Sequence, residues 1–417
     1  MKIEKTLSYV LMFYVISAIA FECSANTAIL STIGIYLAFA FGVIYIFRHH
    51  ILKVNIYIIS LVIMVILSFV LMILPGASPE KGYYIVYWIL TCNVLCIIVY
   101  HFVNNHKENV KYILLGNIIG SFVLVIRIIF AYGGLDRMLL FASSDGERRI
   151  GSLLLNANSV GLFMANAAIC TLLLIVSSDN TFRRILLIFL NIVFSCMCIM
   201  AGSKKALIFV AAGYVMLISF YARGKSLKFK IIVFIASVAI LAIGIYAVMT
   251  MPIFATARFR FELMINTFLG KGNTSYSDRE RIHYIETGMK EFFNSPIWGN
   301  GTGHSYVMFG TYSHNNFVEL FMNYGIIGFS IYYAPYIPLI HRLFRRIREV
   351  DTISIYFLTF IVLELFLGYG WVNYYDRTVQ IIVAATWGYI LSDRNNILMS
   401  RKSYDSFSKN LDSRLKF

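Results

Sequence analysis

Runs of about 20 apolar residues recur along almost the whole chain, and very few contain a charge. A stretch of that length crosses a bilayer core as an α-helix, because a helix satisfies its own backbone N–H and C=O groups where water is absent. Of the 417 residues, 59% are hydrophobic and only 14% charged. A soluble domain cannot hide that much apolar surface, so the expected fold class is all-α and polytopic in a membrane.

Hydropathy predicts about 12 spans, at roughly 6–22, 27–47, 56–75, 84–104, 112–132, 152–176, 185–201, 206–221, 231–250, 314–340, 352–370 and 378–392. Met1 to Lys5 followed by an apolar run has the outline of a signal peptide. Phe21 to Asn26 leads at once into a second span, so an uncleaved first helix is expected. The organisation is then helices 1–9 in residues 1–250, a loop at 251–313, helices 10–12 in 314–392, and a basic tail at 393–417 whose Lys and Arg can reach anionic headgroups.

The net charge of +15 invites a nucleic-acid reading, but its distribution argues otherwise. Loops on the side of the termini hold 22 Lys and Arg, and the short loops opposite hold 7 once residues 251–313 are set aside. That bias is the positive-inside rule. It predicts both termini in the cytoplasm, the 251–313 loop outside, a lipid bilayer as surroundings and no nucleic-acid partner. Five of the six Cys, at 92, 96, 170, 196 and 198, fall inside spans, with Cys23 near a helix end. None has zinc-ligand spacing beside a His, and they read as small hydrophobes.

The long loop has structure of its own. Ser277-Asp-Arg-Glu280 has the form of a capping box, and Ile282, Ile285, Met289, Phe292 and Phe293 recur at helical spacing. An amphipathic helix from about 278 to 294 is expected, lying across the outer face and ended by Asn294-Ser-Pro296. A second short helix is expected from Ala257 to Phe268. Of eight His, five (His49, His50, His101, His106, His341) fall at cytoplasmic helix ends, and His283, His304 and His314 face outward. His314, followed by Asn315-Asn316 and a span, is the candidate catalytic base. Imidazole titrates near neutral pH and can take a proton from a sugar hydroxyl. Asn315 could orient the substrate or the ring.

Outward cations are the second element. Arg148 and Arg149 precede span 6, Lys204 and Lys205 fill the turn before span 8, Arg258, Arg260, Arg279 and Arg281 lie in the long loop, and Arg127 sits inside span 5. Each alone reads as a solvated or snorkelling charge. Together they form a candidate clamp for a lipid diphosphate, since Arg binds phosphate bidentately. No Asp-x-Asp, His-x-x-x-His or Glu-x-x-His pattern sits at an outer helix end, so no metal and no cofactor is expected. Asp145, Glu147, Asp278 and Glu280 each neighbour an Arg and read as ion-pair partners. The glycines of Pro296-Ile-Trp-Gly-Asn-Gly-Thr-Gly303 permit close backbone approach, and Gly325 and Gly328 suggest close helix packing.

With these residues in hand, the chain resembles the O-antigen ligase/polymerase superfamily, including Wzy-type polysaccharide polymerases, from about residue 148 to 330. Arg149-Ile-Gly-Ser-Leu-Leu-Leu-Asn156-Ala-Asn158-Ser-Val-Gly161 is similar to the family's Arg…Gly-Asn-Pro-Asn…Gly segment, with Leu155 and Ala157 in place of Gly and Pro. Gly202-Ser203-Lys204-Lys205-Ala206 is similar to its Ser-Arg-Gly-Ala turn, Arg281 to its loop Arg, and Ser313-His314-Asn315 through Gly325-x-x-Gly328 to its His-Asn helix start. The resemblance implies a GT-C-like fold. It also implies metal-independent, inverting transfer from an undecaprenyl-diphosphate-linked glycan to a lipid-linked acceptor in a bacterial inner membrane. His314 would be the base. Arg281 and Lys204 would hold the diphosphate, with Arg127, Arg149 and Lys205 compensating for the Lys that replaces Arg; Arg279 joins the same candidate set. A chain-length regulator is an admissible partner.

The leading expectation is a polymerase of lipid-linked repeat units, as in O-antigen or capsule synthesis. The nearest rival is an O-antigen ligase that transfers polymer to lipid A-core. From another class, a flippase or secondary transporter would need inverted repeats and midplane ionisable residues. Only Glu364 and Arg127 are candidates for the latter.

Overall fold

The computed structural model describes residues 2–21, 28–144, 149–269, 276–347 and 351–392. Among them it contains helices and no strands: α1 Lys2–Phe21, α2 Ala28–His49, α3 Ile56–Val70, α4 Lys81–Asn105, α5 Val110–Ala131, α6 Leu135–Ser143, α7 Ala157–Val176, α8 Thr181–Met200 and α9 Lys204–Ala222. There follow α10 Leu227–Thr250, α11 Ala255–Phe268, α12 Tyr276–Asn294, α13 His304–Phe309, α14 Asn316–Tyr333, α15 Tyr336–Ile347 and α16 Thr352–Leu367. A last helix, α17, runs over 377–392.

Among the described residues nine helices are long and apolar enough to cross a membrane: α1 to α5, α7, α8, α10 and α16, with short 3₁₀ turns extending three of them. The protein is therefore an all-helical, polytopic membrane protein. The other three expected spans are helical but not among the nine: 206–221 falls on α9, 314–340 on α14 and α15, and 378–392 on α17.

Small residues set the helix spacing. Gly116 and Gly120 of α5 face α1, where a Cβ would come within 3.2 Å of the Met12 carbonyl oxygen and 3.0 Å of Ile16 Cα. In lipid, where apolar surface gains nothing by leaving solvent, such close backbone approach is what binds helices together. Gly161 does the same between α7 and α9, since a Cβ there would lie 2.8 Å from that of Ala206. α4, α7 and α16 are largely enclosed by neighbours, whereas among the described residues of the span in α10 none is buried.

Two expectations on boundaries need correction. Span 6 starts later than residue 152, because Gly151 turns the chain at φ 92 and Asn156 caps α7 by accepting from Asn158 N at 2.9 Å. Span 10 is not one helix. Gly325 adopts φ 62, ψ −163 inside α14, and the chain breaks again before α15. The loop 296–303 lies across the first break. Asn300 N donates to Met322 O at 2.9 Å, Gly301 N to Asn323 O at 3.1 Å, and Ile326 N to Pro296 O at 2.9 Å. Backbone groups freed by a break must find partners within the protein, and this loop supplies them. Gly299 permits the approach, because a Cβ there would lie 2.5 Å from Tyr324 N. Gly325 thus serves a backbone crossing, not only helix packing.

The loop helices fall where periodicity predicts them, at α11 and α12. α12 rests on α14, with Gly288 against Val318 and Phe292 against Phe321 at 4.7 Å. Phe293, expected on the covered stripe, is 71% exposed because its neighbour Phe292 takes the inward position. The side chains of Ser277 and Asp278, hence the proposed capping box, lie outside the described residues, as do Cys23, Asp145, Glu147, Arg148 and the tail 393–417.

Candidate active site

The turn before α14 is fixed by its own polar groups. Asn315 caps the helix, its Oδ1 accepting from Phe317 N at 3.0 Å and Val318 N at 3.2 Å. That carbonyl is committed to the cap, so Asn315 orients the helix start instead of reaching for a ligand through this atom. Ser313 Oγ donates to Asn315 O at 2.9 Å. Ser313 N donates at 2.7 Å to Oε2 of Glu319, which is wholly buried. Between these anchors His314 adopts φ 59, a left-handed conformation that costs a residue with a Cβ roughly 1–3 kcal/mol.

His314 and Asn315 line a cleft of ≈ 610 Å³ together with Lys205 from the first turn of α9 and Arg281 from α12. The remaining walls are mostly apolar, among them Ile208, Ile282, Ile285, Phe317 and the end of α16. The apolar stripe expected on α12 thus contributes two of its members to the cleft. Gly370 leaves room for the lysine, since a Cβ there would lie 2.7 Å from Lys205 Cε. Tyr312 packs on the imidazole at 4.2 Å, and Tyr284 lies nearly parallel to it at 6.2 Å.

The electrostatics follow from this crowding. Burial first, then Arg281 and Lys205, push the His314 imidazole down to about 4. The ring is therefore neutral near pH 7, with a lone pair able to accept a proton. Burial, then Arg281 and Arg149, push the Lys205 ammonium down to about 7. Burial, then Arg260 and Arg281, push the Arg149 guanidinium down to about 10, so it stays charged. Arg149 is held by its own contacts, Nε to Ala201 O at 3.0 Å and Nη2 to Asn158 Oδ1 at 2.7 Å. Arg260 joins it across Gly202, where a Cβ would lie 3.2 Å from Arg260 Cδ and 4.0 Å from Arg149 Nε. Like charges gathered in half-buried space raise one another's energy, and a multivalent anion relieves it.

The other sequence-predicted residues lie elsewhere. Lys204 begins α9 beside Lys205 but is not in the lining of the cleft. Arg279 is exposed on α12. Arg127 donates to the Ala20 carbonyl and lies 4.8 Å from the Phe21 ring, which ties α5 to the end of α1. His283 is exposed, and His304 is buried with Nδ1 at 2.7 Å from Gly76 O and Nε2 at 2.9 Å from Glu291 Oε2. The residue that sequence reasoning did not put in the site is Glu319; Arg260 was one of the candidate clamp cations, and the structure pairs it with Arg149. Among the described residues no group of three or more His, Cys, Asp or Glu is placed to hold a metal ion.

Residues 186–333 match the family model for the O-antigen ligase. The segment agrees with the resemblance to the O-antigen ligase/polymerase superfamily and holds Lys205, Arg260, Arg281, His314 and Glu319; the Arg149 to Gly161 motif lies before it. No curated protein matches the chain.

Proposed function

We propose that this chain is a bacterial membrane glycosyltransferase that joins lipid-linked oligosaccharide repeat units into a polysaccharide. One observation carries the reading: a single cleft combines an imidazole that is neutral near pH 7 with Lys205 and Arg281. The acceptor hydroxyl gives its proton to His314 while its oxygen attacks the anomeric carbon of the donor. The bond from that carbon to the lipid diphosphate breaks, with inversion, and the leaving diphosphate remains on Lys205 and Arg281, with Arg149 and Arg260 beside them. A positioned base contributes roughly 10²–10⁴-fold, and each hydrogen bond to a charged group about 1.5–3 kcal/mol. The apolar walls suit the polyprenyl part of an undecaprenyl-diphosphate carrier. The positive-inside bias supports cytoplasmic termini and a cleft opening on the opposite face.

Four cations on four segments, Arg149 before α7, Lys205 on α9, Arg260 on α11 and Arg281 on α12, suffice for two diphosphates, one from the donor and one from a lipid-linked acceptor, which favours polymerisation. A second reading, ligation of finished polymer to lipid A-core, is favoured by the description of the matched family. Reconstituted enzyme with lipid-linked repeat units separates them. A polymerase lengthens the repeats without any core acceptor, and a ligase does nothing until the core is added. His314→Ala should remain inserted in the membrane yet form no product by either route, and wild-type product from that variant would end the role of His314 as the base.

A further inference from the structure

We propose that Glu319 is a positioning residue for His314, acting through the backbone of the turn; the inference rests on His314 being the base. The Glu319 carboxylate is wholly buried, and both of its oxygens accept. Oε2 takes the Ser313 amide at 2.7 Å. Oε1 takes Ser305 Oγ at 2.5 Å and Asn323 Nδ2 at 3.1 Å. The asparagine cannot turn to offer its oxygen instead, because its Oδ1 already receives Ser305 N at 3.2 Å. One acidic group therefore joins α13, the 313–315 turn and the next turn of α14.

The residue it anchors immediately precedes His314. A left-handed residue with a side chain relaxes to ordinary backbone angles unless its neighbours are held. Here the Ser313 amide is held by Glu319, and the Asn315 carbonyl by Ser313 Oγ. An ionised carboxylate only accepts, so three donors can converge on it; an amide of the same shape turns an NH₂ group toward one of them. Such a change releases the turn, while the cations on α9 and α12 stay in place.

The test is Glu319→Gln in detergent-purified full chain, with lipid-linked repeat units for turnover and undecaprenyl diphosphate alone for binding. Turnover should fall on the order of 10²-fold, the loss typical of a small misplacement of a catalytic group, while undecaprenyl diphosphate binding stays unchanged. The acidic limb of the pH–rate profile should also rise. The groups facing the ring are Lys205 on α9, Arg281 and Tyr284 on α12, Tyr312 in the same turn and Tyr369 after α16. Burial, then Arg281 and Lys205, hold its proton affinity down, so a ring displaced from the cleft and from these cations titrates higher. A residue that merely holds the fold would lower the yield of enzyme and leave the limb where it was. Wild-type turnover, or a loss confined to binding with an unmoved limb, overturns the proposal. If the variant does not fold, Ser305→Ala decides: it removes one of the three donors and should lower turnover and raise the limb in the same sense, and an unmoved limb overturns the proposal. His314→Ala is the control. Activity in that variant would fail the premise that His314 is the base, whereas an inactive His314→Ala beside an unaffected Glu319→Gln fails the positioning role alone.

Discussion

His304 and His314 lie ten positions apart, and the sequence leads one to expect both on the same face. Their surroundings are opposite. His304 is buried between the Gly76 carbonyl and the Glu291 carboxylate, each within 3 Å of a ring nitrogen, and so it fastens α13 to the loop before α4 and to α12. His314 stands in a cleft between a lysine and an arginine, on a backbone held in the left-handed region. Anionic partners turn an imidazole into a structural donor; cationic neighbours and burial keep it neutral and able to accept. Residue type alone does not distinguish the two, and the charge of the partners does.

The largest test of that contrast exchanges the two losses. His314→Ala should remove turnover by roughly 10²–10⁴-fold with little change in thermal stability. His304→Ala should leave turnover of the folded enzyme near normal and lower stability, since it strands the partly exposed Glu291 carboxylate and Gly76 carbonyl, at a cost of about 1 kcal/mol each. Melting temperature and per-molecule turnover, measured on both purified variants, sharpen the comparison. A His304→Ala enzyme that is stable but inactive would break it.

Next in size are the cations. Arg281→Ala should weaken binding of undecaprenyl diphosphate by about 10- to 100-fold, corresponding to one charge-assisted contact. Arg279→Ala, on the exposed part of the same helix, should change it by less than about two-fold. Equal effects from the two would mean that the cleft's arginine has no special place in binding.

The pH dependence follows from the same neighbours. Lys205 loses its proton as pH rises through about 7 in the free enzyme, because burial, Arg281 and Arg149 oppose its charge. A bound diphosphate reverses the balance and raises its proton affinity, so binding should take up a proton near and above that pH. Donor binding should then weaken as the solution becomes more alkaline. Calorimetry in buffers of differing ionisation enthalpy reads the proton directly. Lys205→Arg, which stays charged, should abolish the uptake. At the other limb the accepting form of His314 is present above about 4 and is lost as pH falls through it.

Much of the scaffold is legible in the sequence because hydropathy and helical period are local. Nine of the twelve expected span positions, and α12, follow from counting apolar residues. The gathering of Lys205, Arg281 and His314 was legible as a set of charges on one side of the membrane. Which lysine of the pair enters the cleft was not. Adjacent helical residues point about 100° apart, and the phase of α9 is set by Ser203 at its cap and by packing against Gly161. Glu319 was invisible for a different reason. In an apolar run a carboxylate reads as an isolated charge, and its three donors come from residues 305, 313 and 323, united only by the fold. The break at Gly325 shares that cause, since a glycine in sequence does not name the backbone that will cross it.

The smallest expected effect concerns Arg127, which sequence placed among the phosphate-binding candidates. Its guanidinium donates to the Ala20 carbonyl near the end of α1 and lies over Phe21, outside the residues that line the cleft. A cation there gives the Ala20 carbonyl a charged donor and complements the partial negative charge toward the C-terminal part of α1, an effect of about 0.3–1 kcal/mol. Arg127→Ala should therefore lower the melting temperature slightly and leave undecaprenyl diphosphate binding unaltered. Arg127→Lys keeps the charge but not the planar stacking, and should recover part of the stability. If either substitution weakened diphosphate binding as much as Arg281→Ala, the division between a cationic cleft and a cationic helix clasp would have to be redrawn.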